Sequence, residues 1–316
     1  MREVKDLLQA AHNFHGCPIC QETECLPLGT ASRYPSPPTG TKSCSLAVSF
    51  CSCSGEITSV GNDRAPVACG PVSNVLSLAL AAERYGDFQV EDRLCGEHGS
   101  PLKTVPTWLA SGSRYMSPFA DDGAMTVISM LSGGSRLDFA RRVLGKMDLF
   151  AGRSLPMGPR VNEKGGTSEA RHLSVAYLLK SYGRFYGPVD DTVDVYNRQC
   201  SKLASARDLS VMAATLANRG TNPVSGMEVV SSEAAEYSVN TLARRGLTED
   251  SHRWRRETGG VPAIYGSKGV LVVVFRGIGG LAVASPTACR TECSADCETR
   301  SIDTCIHIAK RMGSCV

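Results

Sequence analysis

The side chains that could do chemistry in this 316-residue chain are mostly cysteines, and their spacing is uneven. Cys17-Pro18-Ile19-Cys20 followed by Cys25 makes a Cys-x-x-Cys knuckle with a third thiol, and His12 and His15 lie close by. A structural zinc needs four nitrogen or sulfur ligands, which this segment alone can supply. Cys289, Cys293 and Cys297 recur every four residues, a spacing that sets thiols on one helix face. Cys69 precedes a strongly apolar run; at a helix start its thiol would be activated for attack on a carbonyl. No base neighbours it in sequence, so His172 would have to arrive through the fold, and a buried structural thiol is the plainer role. Asp121, Asp122 and His172 could form a small acid/base or metal set. Lys268, in Gly266-Ser267-Lys268-Gly269, could bring a positive charge to a pocket edge or simply point into water. Ser100-Pro101-Leu102-Lys103 spells Ser-x-x-Lys, but in a Gly/Pro-rich loop where Pro101 disrupts the geometry, so it reads as coincidence.

Composition narrows what these groups can serve. Lys plus Arg number 34 against 31 Asp plus Glu, and a net charge of +3 gives no reason to expect nucleic acid or acidic lipid as a partner. Apolar runs such as Val270–Phe275 fall far short of the ~20 residues that span a bilayer. Met1–Asp6 mixes charges and leads into no apolar core of the signal-peptide kind, so an intracellular chain with reduced thiols is expected. The 14 cysteines are too sparse for a disulfide scaffold, and 42% hydrophobic residues fit an ordinary buried core.

The elements that must position these groups follow from periodicity. Ser45–Cys53, with a turn at Gly55-Glu56, suits a hairpin. Val72–Tyr85 carries apolar residues on nearly every side and predicts a buried helix. Helices are also expected over Ala124–Leu131, Leu137–Met147, Glu169–Tyr182, Ala206–Ala217 and Ile302–Met312. Val270–Phe275 and Gly280–Ala284 read as two buried strands of a hairpin. Strands at both chain ends and helices between them predict a single sheet with a helical insertion.

Arg207-Asp208-Leu209-Ser210-Val211-Met212-Ala213-Ala214-Thr215-Leu216-Ala217-Asn218, preceded by Gln199-Cys200-Ser201, resembles the serine-dependent glutaminases, L-glutamine amidohydrolases of β-lactamase-like fold. Gly220-Thr221-Asn222-Pro223-Val224-Ser225-Gly226 is similar to that family's Gly-x-x-Pro-x-Ser/Thr-Gly turn, and the likeness runs over residues 29–312. The family's Gln-Ser-x-Ser-Lys motif supplies a nucleophile and the Lys that takes its proton. Here it falls on Gly70-Pro71-Val72-Ser73-Asn74, so the resemblance puts Pro71 at the nucleophile position and Asn74 at the base position. Its Asn-Ala-Gly-Ala segment falls on Asp121-Asp122-Gly123-Ala124, and its Arg-Asn pair on Arg171-His172. Its Lys-Ser-Gly becomes Ile264-Tyr265-Gly266, and its Gly-Met-Tyr-Asp tyrosine falls on Thr248 or Glu249. Tyr196 survives, as does Tyr34 across the Pro-rich stretch; Glu163 matches the substrate-binding Glu with a shift of two residues.

The resemblance therefore implies an α/β sandwich of the β-lactamase/DD-peptidase kind, an antiparallel sheet from both chain ends with an inserted helical domain. Residues 1–40 form a Cys/Pro-rich segment, 41–70 and 226–316 the sheet domain, and 71–225 the helical domain. The expected function is a glutaminase homologue with lost catalytic groups, acting through binding or assembly. The alternatives are a cleft repurposed for amide or acyl chemistry through Cys69 and His172, and a Cys-rich metal-binding protein. No cofactor beyond a structural zinc is expected. Expected partners are a glutamine-like small molecule, a homologous glutaminase subunit or a second copy of the chain. In the cleft, Pro71 should start the buried helix, Tyr265 should face it from the edge strand, and Tyr196 should approach from the helical side.

Overall fold

The two chain ends do build one sheet. The computed structural model describes residues 2–15, 46–95, 116–159, 167–247, 251–266, 269–284 and 294–313. Helix α1 (Arg2–His15) leads to strands β1 (Ala47–Ser52) and β2 (Ile57–Val60), then the short β3 (Val67–Ala68). Helices α2 (Val72–Tyr85), α3 (Asp87–Cys95), α4 (Asp121–Met130), α5 (Arg136–Ala151), α6 (Thr167–Ser181) and α7 (Val189–Ser201) follow. After β4 (Leu203–Ala204) come α8 (Ala206–Ala217), α9 (Ser232–Arg245) and α10 (Ser251–Thr258). Strands β5 (Ala263–Tyr265), β6 (Val270–Phe275) and β7 (Gly279–Ala284) and helix α11 (Ser294–Gly313) complete the order.

The sheet runs β2-β1-β7-β6-β5, antiparallel throughout. It is covered on both faces, which is why β6 and β7 are apolar at every position rather than alternating. Strand periodicity divides their side chains. Val270, Val272, Val274, Ala282 and Ala284 join the core shared with the helical layer. Leu271, Val273, Phe275, Leu281 and Val283 join an outer core made with α1 and α11.

Helix α8 lies closest to the sheet, and two local devices fix it there. Ser205 Oγ accepts from Asp208 N while the Asp208 carboxylate accepts from Ser205 N, a reciprocal cap at the helix start. Arg153 clamps the same carboxylate with two donors, Nε at 2.7 Å and a terminal nitrogen at 2.6 Å. Opposite, Gly280 lets the helix backbone touch β7: a Cβ there would lie 2.4 Å from Ala214 N and Ser210 O.

Helix α2 spans the predicted residues and nearly all of its length is buried. Gly70, with φ +51°, turns the chain, and Pro71 then stands at the helix cap with φ −60°, where its missing N–H costs nothing. Of the elements not anticipated, α1 matters most: Leu8 and Ala11 are fully buried, and the helix packs on β2 and α11. No helix among the described residues is long and apolar enough to cross a membrane.

Candidate functional site

The start of α2 meets α4 and α7 in the helical layer, and its Val72 shares a core with Ile264 of β5 at the sheet edge. Asn74, one turn into α2, is 1% exposed and bonded at both ends of its amide. Its Nδ2 donates to the Phe119 carbonyl at 3.2 Å, and its Oδ1 accepts from Gln199 Nε2 at 3.0 Å. Gln199 Oε1 in turn accepts from Ser77 Oγ at 2.6 Å. This closed amide chain pins α2 to α7 and to the turn before α4, and every member is satisfied, which makes a buried polar network stabilising. Ser73 points back, donating to the Gly70 carbonyl at 2.6 Å, so it caps its own turn instead of offering a free hydroxyl.

A second cluster lines the helical side. Tyr196, 3% exposed, donates to Asp121 Oδ1 at 2.7 Å. Asp121 Oδ2 lies 3.6 Å from His172 Nε2 and 3.8 Å from the Arg171 guanidinium. The other ring nitrogen of His172 is 2.8 Å from Asn197 Oδ1, and its ring meets Tyr196 edge-on at 5.1 Å. The His172 contact, then Tyr196 and Arg171, hold the Asp121 carboxyl at about 2, against the desolvation that opposes it. Neighbouring Asp122 goes the other way, raised by burial. Asp121 and Asp122 open α4, where a helix N-terminus favours negative charge.

Cys69 stands apart from this cluster. It is 1% exposed, its N–H bonded to the Lys202 carbonyl, and burial, then the neighbouring Cys200, push its thiol up to about 12. Cys200 is likewise pushed up to about 12 by burial, and it lies 3.8 Å from Ser73 Oγ. Neither thiol is prepared as a nucleophile in that environment, and no described contact joins Cys69 to His172.

One expectation needs correction. Tyr265 does not face Pro71. Residues alternate across β5, so Ile264 enters the inner core with Val72, while Tyr265 packs with Ala263 in the outer core against α1 and α11. Gly266 returns to the inner side, where a Cβ would sit 3.1 Å from Val72 Cγ2. Apolar Ile264 and bare Gly266 therefore stand beside the start of α2, not a phenol. Tyr196 does approach from the helical side, reaching α2 through Cys200 and Ser73.

Tyr34, Glu163, Thr248, Glu249, Lys268, Cys17, Cys20, Cys25, Cys289 and Cys293 lie outside the described residues, as does the side chain of Cys297. Among the described residues no group of three or more His, Cys, Asp or Glu could hold a metal ion. Sequence reasoning missed Asn197 and the role of Gln199. The signal was present in the second case, since a helical Gln must satisfy its amide once buried.

The family described as Glutaminase matches residues 29–313. A glutaminase of Colwellia psychrerythraea is 30% identical over 233 residues, 73% of this chain and 75% of its own length. A solved structure described as a probable glutaminase superposes with a TM-score of 0.80 at 25% identity, covering 99% of this chain and 97% of that one. A Bacillus subtilis glutaminase, solved as the covalent complex formed on reaction with 6-diazo-5-oxo-L-norleucine, shares the fold at 19% identity with a TM-score of 0.72; the match spans 98% of this chain and 97% of that one. The fold is the β-lactamase-like α/β sandwich.

Proposed function

Because the chain belongs to the glutaminase family, we propose that it is a member which no longer hydrolyses glutamine and acts instead through binding or assembly. One observation carries this reading. Where the resemblance places a hydroxyl nucleophile and the lysine that activates it, the chain has the capping ring of Pro71 and the doubly bonded amide of Asn74. Proline has no group to attack a carbonyl, and an amide cannot accept a proton at neutral pH.

Two further features support it. Asp121 and His172 stand where the resemblance puts ligand-binding amides; they lie 3.6 Å apart, Asp121 bonded to Tyr196 and His172 to Asn197. Ile264 stands where the lysine of Lys-Ser-Gly would, buried with Val72. Loss of a nucleophile and its base together removes several powers of ten in rate. The rebuilt-enzyme alternative draws no support from Cys69, whose thiol is buried in the core. The ligand class that fits the family is a glutamine-like small molecule, and the partner class is a glutaminase subunit or a second copy of this chain.

The diazoketone that reacts with the Bacillus enzyme tests this reading. After incubation with 6-diazo-5-oxo-L-norleucine, peptide mass spectrometry of this chain is expected to find the tryptic peptide Ala65–Arg84, which holds Cys69, Pro71 and Asn74, at its unmodified mass. An adduct on that peptide would reveal a working nucleophile at the start of α2 and overturn the proposal.

A further inference from the structure

We propose that the exposed face of α10, together with the adjoining ends of α9 and α11, is a docking surface for an acidic polypeptide segment. The face begins in the sequence. Helix α10 reads Ser251-His252-Arg253-Trp254-Arg255-Arg256-Glu257-Thr258, with three arginines around one tryptophan. Trp254 is buried, and its indole nitrogen donates to the Val261 carbonyl at 2.6 Å. Thr258 Oγ1 donates back to the Trp254 carbonyl at 2.8 Å. Anchored by that ring, the short helix turns Arg253, Arg255 and Arg256 outward, and all three are exposed. Arg244 in the last turn of α9 and Lys310 and Arg311 in the last turn of α11 are exposed as well. Helices α10 and α11 pack together, and Arg255 reaches α9, donating to the Arg244 carbonyl at 2.9 Å. The six cations therefore share one stretch of surface.

Charge decides what such a surface can hold. Glu91 lies 3.7 Å from Arg244, Asp303 pairs with Arg253, and Glu257 is shared by Arg256 and Lys310. Six cations against those three carboxylates leave an excess of +3, as much as the whole chain carries. The near-neutral composition thus hides a one-sided distribution, and a local field of one sign selects partners of the other. Five of the six are arginines, whose planar forks suit carboxylates, and arginine clusters are a recurring way to recognise acidic segments. The chain's own carboxylates already sit on Arg253 and Lys310. Solvent-exposed pairs of this kind are worth little, so an incoming acidic segment can share or replace them. Other polyanions fit less well. Single-stranded nucleic acid stacks its bases on aromatic rings, and Trp254 is only 3% exposed. A lipid surface takes up apolar side chains, and Leu247, Ile306 and Met312 are all buried here. This goes beyond the proposed loss of hydrolysis and does not depend on it.

Fluorescence anisotropy with a labelled peptide of about ten glutamates tests the surface, with a Gly/Ser peptide of equal length as the neutral comparison. The full chain is expected to bind the acidic peptide in low salt and not the neutral one. Raising salt from about 50 to about 300 mM should weaken binding about tenfold or more. Arg253→Ser/Arg255→Ser/Arg256→Ser should weaken it about tenfold at low salt. Arg64→Ser/Arg141→Ser/Lys180→Ser removes equal charge from exposed positions elsewhere and should change it by less than about twofold. Glu257→Gln/Asp303→Asn, which removes the competing carboxylates, should tighten binding severalfold, and it serves if the α10 variant fails to fold. No binding at low salt, or equal losses in the two triple variants, would overturn the proposal. So would tighter binding of decauridylate or phosphatidylserine vesicles than of the peptide. Salt-sensitive self-association lost in the α10 variant would seat a second copy there and overturn it too.

Discussion

The variant Pro71→Ser/Asn74→Lys, which puts back the two side chains of the lost motif, is expected to release no ammonia from glutamine and to be less stable than the parent by about 3 kcal/mol. Serine at position 71 is tolerable, since the site is a helix cap. Lysine at position 74 is not. It would place an ammonium where 1% of the present residue is exposed, facing the Gln199 Nε2 donor. A turn of the Gln199 amide could restore a hydrogen bond but supplies no counter-charge, and the Phe119 carbonyl is the one acceptor left. Even a correctly placed Ser and Lys would confront Ile264 in place of a polar edge, and Asp121 and His172 already engaged with Tyr196 and Asn197. Urea unfolding and an ammonia assay measure the two parts. Turnover by this variant would mean that the rest of the pocket had remained competent, and unchanged stability would mean that Asn74 is not the pin described.

A second large effect is expected far from the cleft. Gly280→Ala should cost about 3 kcal/mol or more, because the new methyl meets backbone rather than movable side chains. It would lie 2.4 Å from Ala214 N and Ser210 O and 2.5 Å from Ala213 Cβ, so α8 must lift from β7. Helix α8 carries the stretch most alike to the glutaminases, and its Asp208 anchors both its own cap and Arg153. Lifting it loosens the contact between helical layer and sheet on which the cleft stands. A urea midpoint within experimental scatter of wild type would show that α8 does not need this close approach.

These expectations rest on parts of the molecule that were unequally legible in the sequence. The sheet was readable because β6 and β7 are unbroken apolar runs joined by a Gly turn, and α2 and α8 because their apolar density leaves no strand alternative. Helix α1 drew no expectation although Val4, Leu7, Leu8 and Ala11 recur at helical spacing; the segment was grouped with the Cys/Pro-rich stretch that follows it. Helix α9 drew no expectation although Ala234, Ala235, Ser238, Thr241 and Leu242 lie on one buried face and the helix packs on α2; small and hydroxylated residues on that face carry little apolar signal.

Which residue types stand at the candidate site was readable in the sequence, but not what they bond to. Pro71 and Asn74 could be placed from motif spacing alone. What Asn74 bonds to could not, since Phe119 and Gln199 lie 45 and 125 residues away and only the fold brings them together. Tyr265 shows the limit most plainly. Its place in the motif was read from spacing, but its side depended on the register of a three-residue edge strand, where one residue decides which face a side chain takes.

We propose that this glutaminase-family chain has lost hydrolysis at the start of α2. The most direct measurement is ammonia release from glutamine by the purified full-length chain, set beside a protein-free blank. No release above that blank is expected at any glutamine concentration. Sustained release that copurifies with the chain and scales with its concentration would contradict it, and would require a nucleophile that neither Pro71 nor Asn74 can provide.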